Sequence, residues 1–173
     1  LGIVSAGLEA QPYPSKTVPL IVPFTPGGGT DIVGRLLAAK LTETLGQQVI
    51  VDNRPGAGTV IGSELLAKSA PDGHTLIMQV NSLAANHTLY KKLPYDTLRD
   101  FTPIILAAST PNVLVVHPSV PAHSVKELIA LARKRPNELA YGTSGTGGAG
   151  HLAGALFRQL TKTGLLHVPY KGG

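Results

Sequence analysis

Apolar residues in this chain fall into short continuous runs that alternate with longer runs of helical spacing. Residues 17–22, 48–53 and 75–80 are short apolar runs with glycine, proline or polar residues at their ends, which predicts buried strands. After the first strand, apolar residues recur three or four positions apart at Ile32, Val33, Leu36, Leu37, Leu41 and Leu45. This spacing predicts an amphipathic helix that ends at Gly46, and the alternation predicts an α/β fold with parallel strands.

The second half of the chain continues this alternation. Ser124 and Glu127 have the spacing of a capping box ahead of an apolar helical stripe, so a helix is predicted to begin there. Residues 102–107 and 112–116 predict two extended segments that lie before this helix. The remaining predicted elements are a strand at 139–141, a helix at 152–160 and a strand at 166–170.

Two glycine-rich turns of the same design each connect a predicted strand to a predicted helix. The first is VPFTPGGGTD at residues 22–31, and the second is YGTSGTGGAGH at residues 141–151. A turn that opens a helix exposes the first backbone N–H groups and the positive end of the helix dipole. Because ligands of open α/β sheets bind at the carboxyl ends of strands, we expect two anion-binding turns that face one cleft. Asp31 either caps its own helix or accepts a hydrogen bond from a bound group.

Composition narrows the possible chemistry. The 173 residues are 43% hydrophobic but only 5% aromatic, which predicts an aliphatic core. The absence of cysteine excludes disulfides, thiol catalysis and cysteine-bound metals. Histidines at metal-ligand spacing are absent from the sequence, so we predict neither a metal nor another cofactor. The net charge is +5, but its densest basic run, residues 133–135, lies where a helix end favours basic side chains. We therefore predict no nucleic-acid partner.

The second turn also permits two enzymatic interpretations. Residues 145–150 match the G-x-G-x-x-G of dinucleotide sites, but no Asp or Glu follows Glu138 to bind a ribose roughly 20 positions later. Ser144 and His151 suggest a hydrolase, yet Thr146 replaces the last glycine of G-x-S-x-G and no acid completes a triad. We predict no catalytic residue and keep a nucleotide-binding α/β enzyme domain, using residues 145–150, as the alternative.

The turns equally suit the reversible binding of a small carboxylate. Backbone N–H groups at two helix starts, with the hydroxyls of Thr30, Ser144 and Thr146, can surround an anion without any charged side chain. Asn81 and Ser82 follow the third strand and are predicted to face the same edge of the sheet. Four or five charge-assisted hydrogen bonds of about 1.5–3 kcal/mol each, less desolvation and ordering, correspond to roughly micromolar binding.

Ordered motifs along nearly all of the chain after residue 12 resemble one known family. The chain is similar to the receptors of tripartite tricarboxylate transporters, the Bug family of periplasmic solute-binding proteins. The motifs that carry this resemblance are Tyr13-Pro14-Ser15-Lys16, Val22 to Asp31, Leu45-Gly46-Gln47-Gln48, Asp52-Asn53-Arg54-Pro55-Gly56-Ala57-Gly58, Pro71-Asp72-Gly73-His74-Thr75-Leu76, Leu93-Pro94-Tyr95-Asp96, Asp100-Phe101-Thr102-Pro103 and His167-Val168-Pro169-Tyr170-Lys171-Gly172.

The resemblance implies a two-lobed, Venus-flytrap fold of the periplasmic-binding-protein type, with no catalysis and no cofactor. Such receptors hold a small carboxylate between their lobes through main-chain groups and bridging waters, and present it to a membrane permease. The protein is then expected in the periplasm. Carried over by position, the predicted ligand contacts are Pro26, Gly27, Gly28, Gly29, Thr30, Asp31, Asn81, Ser82, Ser144, Gly145, Thr146, Gly147 and Gly148.

The same resemblance predicts the domain organisation. Residues 1–12 are expected to be a signal-peptide remnant or a disordered tail, residues 13–110 lobe 1, and residues 111–173 the first part of lobe 2. Family members continue past the Val-Pro-Tyr-Lys-Gly motif, complete the second lobe and return to the first, so the chain is expected to be C-terminally truncated. We expect a fragment of a longer protein; otherwise the chain would form a dimer or swap elements with a second copy. A non-binding module that oligomerises is therefore a further alternative.

Overall fold

The computed structural model describes residues 12–170 and confirms the predicted alternation of strands and helices. The predicted N-terminal tail, residues 1–12, lies almost entirely outside the described residues. In chain order the elements are β1 (Val18–Val22), α1 (Gly29–Leu45), β2 (Val49–Asn53), a 3₁₀ turn (Ala57–Thr59), α2 (Val60–Ala67), β3 (Leu76–Ile77), α3 (Ser82–Leu89), α4 (Val125–Lys134), β4 (Ala140–Thr143), α5 (Ala149–Thr161) and β5 (Leu166–Pro169). Among the described residues, no helix has both the length and the apolar character that crossing a membrane requires.

The first sheet contains three parallel strands in the order β2-β1-β3. β1 lies in the centre, where Val18 is opposite Val49 and Leu20 is opposite Leu76. A central parallel strand is covered on both faces, which explains why β1 is a continuous apolar run. The buried core consists of Val18, Leu20, Ala38 and Val49, with Leu41, Leu45, Val51, Leu76 and Met78 packed against it.

The helix α1 packs on this sheet through small residues. Gly34 and Ala38 are buried, and a Cβ added to Gly34 would lie only 3.0 Å from Cγ2 of Val22. This close approach sets the rotation of the helix, so that Ile32 and Leu36 are 53% and 69% exposed. The predicted apolar stripe is therefore wrong at these two positions. The predicted end of the helix is confirmed by the left-handed residue Gly46, whose N–H bonds to the carbonyl oxygen of Thr42.

The strand β3 is shorter than the apolar run 75–80 that predicts it. Its ladder to β1 continues as far as Met78, whose N–H donates to the carbonyl oxygen of Ile21 at 2.9 Å. The next residue, Gln79, turns its own side-chain oxygen onto the N–H of Val80 at 2.9 Å. Because this side chain takes the donor that a longer ladder would use, strand pairing ends there and α3 begins soon afterwards.

Residues 101–117 contain neither a helix nor a strand. Ile105 and Val115 lie in the two predicted extended runs, and both side chains are 79% exposed. Within the described part of the chain, no strand pairs with either run. The predicted boundary between residues 110 and 111 falls in this segment and stays a prediction.

The second sheet consists of β4 and β5, which are parallel and pair Ala140 with Leu166 and Thr143 with Pro169. The helix α5 connects them and contacts both strands. The capping box predicted ahead of α4 is confirmed, because the N–H of Glu127 donates to Oγ of Ser124 at 3.2 Å. The second glycine turn, which leads from Thr143 into α5, therefore follows a strand of this second sheet. The first glycine turn follows a strand of the first sheet.

Candidate ligand cleft

One cleft receives the carboxyl ends of all five strands that the structure describes. It has a volume of about 460 Å³, which lies in the range of small-molecule sites. Its walls are the segments that follow β1, β2, β3, β4 and β5, and so come from both sheets. The lining residues are Pro23, Phe24, Thr25, Pro55, Gly56, Ala57, Gly58, Thr59, Ser82, Tyr90, Ser144, Gly145, Thr146, Gly148, Pro169 and Tyr170.

The wall after β2 is a backbone turn held in an unusual conformation. Ala57, Gly58 and Thr59 have φ values of 46°, 61° and 80°, a region that costs about 1–3 kcal/mol for a non-glycine residue. Side chains from α3 and the residue that follows it fix this turn. Asn86 Nδ2 donates to the carbonyl oxygen of Gly58 at 2.8 Å, and the hydroxyl of Tyr90 donates to that of Ala57 at 3.1 Å. Strain that the surrounding structure maintains in this way is characteristic of binding sites.

A buried network of hydroxyl and amide groups lies behind this turn. The Thr59 and Ser82 hydroxyls are 3.0 Å apart, and Ser63 donates to the carbonyl oxygen of Thr59 at 2.9 Å. Gln79 donates to the Ser63 hydroxyl at 2.8 Å. Ser82 therefore reaches the cleft, but its side chain is 2% exposed and already bonded to Thr59. Its main effect is to support the wall of the cleft.

The second glycine turn lies opposite this wall. Ser144, Gly145, Thr146 and Gly148 line the cleft, and Gly148 is the N-cap of α5 with no side-chain cap on the helix. The first N–H groups of α5 are thus not taken by a capping side chain. A Cβ added to Gly58 would lie 3.3 Å from the carbonyl oxygen of Thr146, so the two walls approach closely.

Asn86 lies between the two walls. Its side chain is fully buried, and its Oδ1 atom accepts no hydrogen bond from the described residues. A Cβ added to Gly147 would lie 3.2 Å from this oxygen, and one added to Gly58 would lie 3.8 Å from it. The missing Cβ atoms of two glycines on opposite walls therefore leave room for one buried amide. Asn86 was not among the predicted contacts, because no motif in the sequence distinguishes it from other polar residues.

The first glycine turn approaches the cleft through different residues from those predicted. Phe24 and Thr25 line the cleft, whereas residues 26–31 do not. Gly28 is the N-cap of α1, and no side chain caps this helix. A role of the α1 N–H groups in ligand binding stays a prediction.

The carboxylate of Asp31 accepts hydrogen bonds from three groups of the protein itself. Its Oδ2 atom accepts from the N–H of Gly27 and from Nε of Arg35, and its Oδ1 atom accepts from Nδ2 of Asn53, each at 2.9 Å. The hydrogen bonds from Arg35, Gly27 and Asn53, in that order, lower the pKa of the Asp31 carboxyl to about 2. Its side chain is 3% exposed. The sequence left two roles open for Asp31: capping its own helix or accepting a hydrogen bond from a bound group. The contacts in the structure are all with groups of the protein itself.

We expect acid to weaken this turn. The lowered pKa of Asp31 stabilises the folded state above about pH 3.8, and that contribution is lost as the pH falls towards about 2. Asp31→Asn should lower stability at neutral pH and reduce the loss of stability across this pH window, as measured by urea unfolding. Asp72→Asn is the control, because the Asp72 pKa is also about 2 but its carboxylate is exposed and screened by solvent. An unchanged pH slope in Asp31→Asn would contradict this role.

The structure brings together five of the predicted contacts: Ser82, Ser144, Gly145, Thr146 and Gly148. It places the other eight outside the lining of this cleft: Pro26, Gly27, Gly28, Gly29, Thr30, Asp31, Asn81 and Gly147. The wall at residues 55–59 was not among the predicted contacts. The signal was available, because Gly56 and Gly58 follow the end of a strand just as the other two glycine turns do.

The chemistry of the cleft is that of binding groups. Its polar atoms come from backbone turns and hydroxyls, and no group of three His, Cys, Asp or Glu residues in the described chain could hold a metal ion. Two parallel sheets with their strand ends at one such cleft form the ligand-binding arrangement of open α/β proteins.

Similarity to known proteins gives the family. Residues 33–173 match the family model of the tripartite tricarboxylate transporter family receptor, and the chain belongs to this family. BugT of Bordetella pertussis is 41% identical over 171 residues, which are 98% of this chain and 52% of BugT. The resemblance inferred from the sequence motifs is confirmed. The family is one of receptors and is not a class of enzymes.

Solved structures confirm the α/β fold class. Rpa4515 of R. palustris, described with adipate, superposes with a TM-score of 0.87 at 45% identity and is matched over 92% of this chain and 54% of its own. MatC (Rpa3494) from Rhodopseudomonas palustris, described with bound malate, has a TM-score of 0.84 at 34% identity, over 92% of this chain and 55% of its own. The chain thus spans about half the length of these relatives.

Proposed function

We propose that this chain forms part of a periplasmic receptor that captures a small organic carboxylate for a membrane permease of the tripartite tricarboxylate type. The observation that carries the proposal is the cleft itself. Segments from the carboxyl ends of five strands converge on it, and they include the uncapped start of α5. An anion there is stabilised by helix N–H groups and the helix dipole without a cationic side chain.

The relatives support the class of ligand. Rpa4515 is described with adipate and MatC with malate, and both of these are dicarboxylates. Each superposes on 92% of this chain, with TM-scores of 0.87 and 0.84. We propose a ligand of the same class, with contacts from Ser144, Gly145, Thr146 and Gly148 on one wall.

The division into lobes is part of the same proposal. The first sheet and its helices form lobe 1 within residues 13–110, and the second sheet with α4 and α5 belongs to lobe 2 within residues 111–173. The cleft then lies between the lobes, and a ligand bound there contacts both. Membership of the receptor family supports delivery to a permease and residence in the periplasm.

Calorimetric titration tests the ligand class. Adipate and malate are titrated into the protein beside a neutral isostere, adipamide, and beside NAD. Binding of either dicarboxylate at roughly micromolar Kd, with no heat from adipamide, is the expected result. Tight binding of NAD with no heat from either acid would overturn the proposal in favour of a nucleotide-binding domain.

A further inference from the structure

The second glycine turn is held by a histidine side chain that is outside the lining of the cleft. The N–H of Gly147 donates to Nδ1 of His151 at 3.1 Å. His151 is the third residue of α5, so its side chain reaches back to the turn that begins its own helix. Because Nδ1 accepts this bond, it carries no proton, and the neutral ring has its proton on Nε2.

A second histidine stacks on the first. The rings of His151 and His167 have centroids 4.2 Å apart and planes inclined by 22°. Nε2 of His167 lies 2.6 Å from Oγ1 of Thr143, the last residue of β4. Burial, then the charges of His151 and Arg158, lower the pKa of His167. The neutral form of the His167 ring is therefore favoured.

We propose that His151 is a positioning residue of the ligand site: its neutral Nδ1 fixes Gly147, and thereby aims the first N–H groups of α5 at the bound carboxylate. This inference rests on the proposed function for its consequence in binding, but its geometry stands without a ligand. Gly147 has a φ of 82°, and Gly148 directly after it is the N-cap that lines the cleft. Loss of the hydrogen bond at Gly147 would change the direction of the backbone one residue before the N-cap of α5.

Two substitutions distinguish the hydrogen-bond acceptor of His151 from its aromatic ring. His151→Asn places an amide oxygen near the position of Nδ1, whereas His151→Phe keeps an aromatic ring against His167 and removes the acceptor. At about pH 7.5, His151→Phe should weaken adipate binding about tenfold, while His151→Asn stays within about twofold of the native protein.

An NMR comparison without ligand keeps the two proposals distinguishable. The ¹⁵N–¹H signal of Gly147 should move in His151→Phe, which loses the acceptor, and should stay close to its native position in His151→Asn. An unchanged Gly147 signal in His151→Phe, or native affinity for adipate in that variant, would each overturn the positioning role. If the Gly147 signal depends on the acceptor at residue 151 but neither adipate nor malate binds the native protein, the proposed function fails and the support of the turn by His151 stands.

Discussion

Gly147→Ala is expected to destabilise the protein by about 2–4 kcal/mol and to weaken adipate binding by more than about tenfold. Gly147 has a φ of 82°, which is strained for alanine, and its new Cβ would lie 3.2 Å from both Asn86 Oδ1 and Leu89 Cδ1. Asn86 is fully buried and bonded to Gly58, so it cannot move without disturbing the opposite wall of the cleft. Urea unfolding and calorimetry measure the two effects.

Gly46→Ala is the matched control for this substitution. Gly46 has a φ of 68°, but a Cβ there would meet nothing within 4 Å. It should therefore lose only the cost of the left-handed conformation, about 1–2 kcal/mol, and keep its affinity for adipate. Equal losses of stability in the two variants would show that the contact between Gly147 and Asn86 contributes nothing.

Gly62→Ala is expected to destabilise the protein by about 1–2 kcal/mol, although alanine is the better helix former by about 1 kcal/mol. Gly62 lies inside α2, and its new Cβ would be 2.7 Å from Cβ of Pro23 and 3.1 Å from the carbonyl oxygen of Arg54. Neither neighbour can rotate away, because one is a proline ring and the other is backbone. The helix must move, and with it the segments after β1 and β2 that line the cleft. Urea unfolding gives the change in stability.

Gly29→Ala tests the same replacement without the steric conflict. Gly29 is the first residue of α1, and a Cβ there would have no neighbour within 4 Å. Its stability should therefore change by less than about 0.5 kcal/mol. A Gly62→Ala protein as stable as the Gly29→Ala protein would contradict the close packing of α2 on Pro23.

Local patterns were sufficient for the elements and for several of their ends. The short apolar runs became β1 and β2, the spacing of Ser124 and Glu127 became a capped helix, and Gly46 ended α1. These features depend on contacts within a few residues, which is why the sequence determines them. The ordered motifs identified the family for the same reason, because they are properties of the sequence alone.

The packing face of α1 and the end of β3 could be determined only from the tertiary structure. Spacing predicts which residues share a face of a helix, but it cannot predict that Gly34 lets α1 approach Val22 so closely that Leu36 points to solvent. Likewise, the side chain of Gln79 ends β3 by bonding to the next N–H of the chain. Both outcomes depend on contacts between particular residues in space, which the pattern of apolar and polar positions does not distinguish.

The sequence by itself determined that glycine turns at strand ends open helices, and that such helices suit an anion. Only the tertiary structure decided which groups meet. It placed the second turn opposite residues 55–59, turned the carboxylate of Asp31 inward, and set Asn86 and His151 beside Gly147. The physical reason is distance along the chain: Asn86 and Gly147 are 61 residues apart in the sequence, and their contact exists only because both sheets point their strand ends at one cleft.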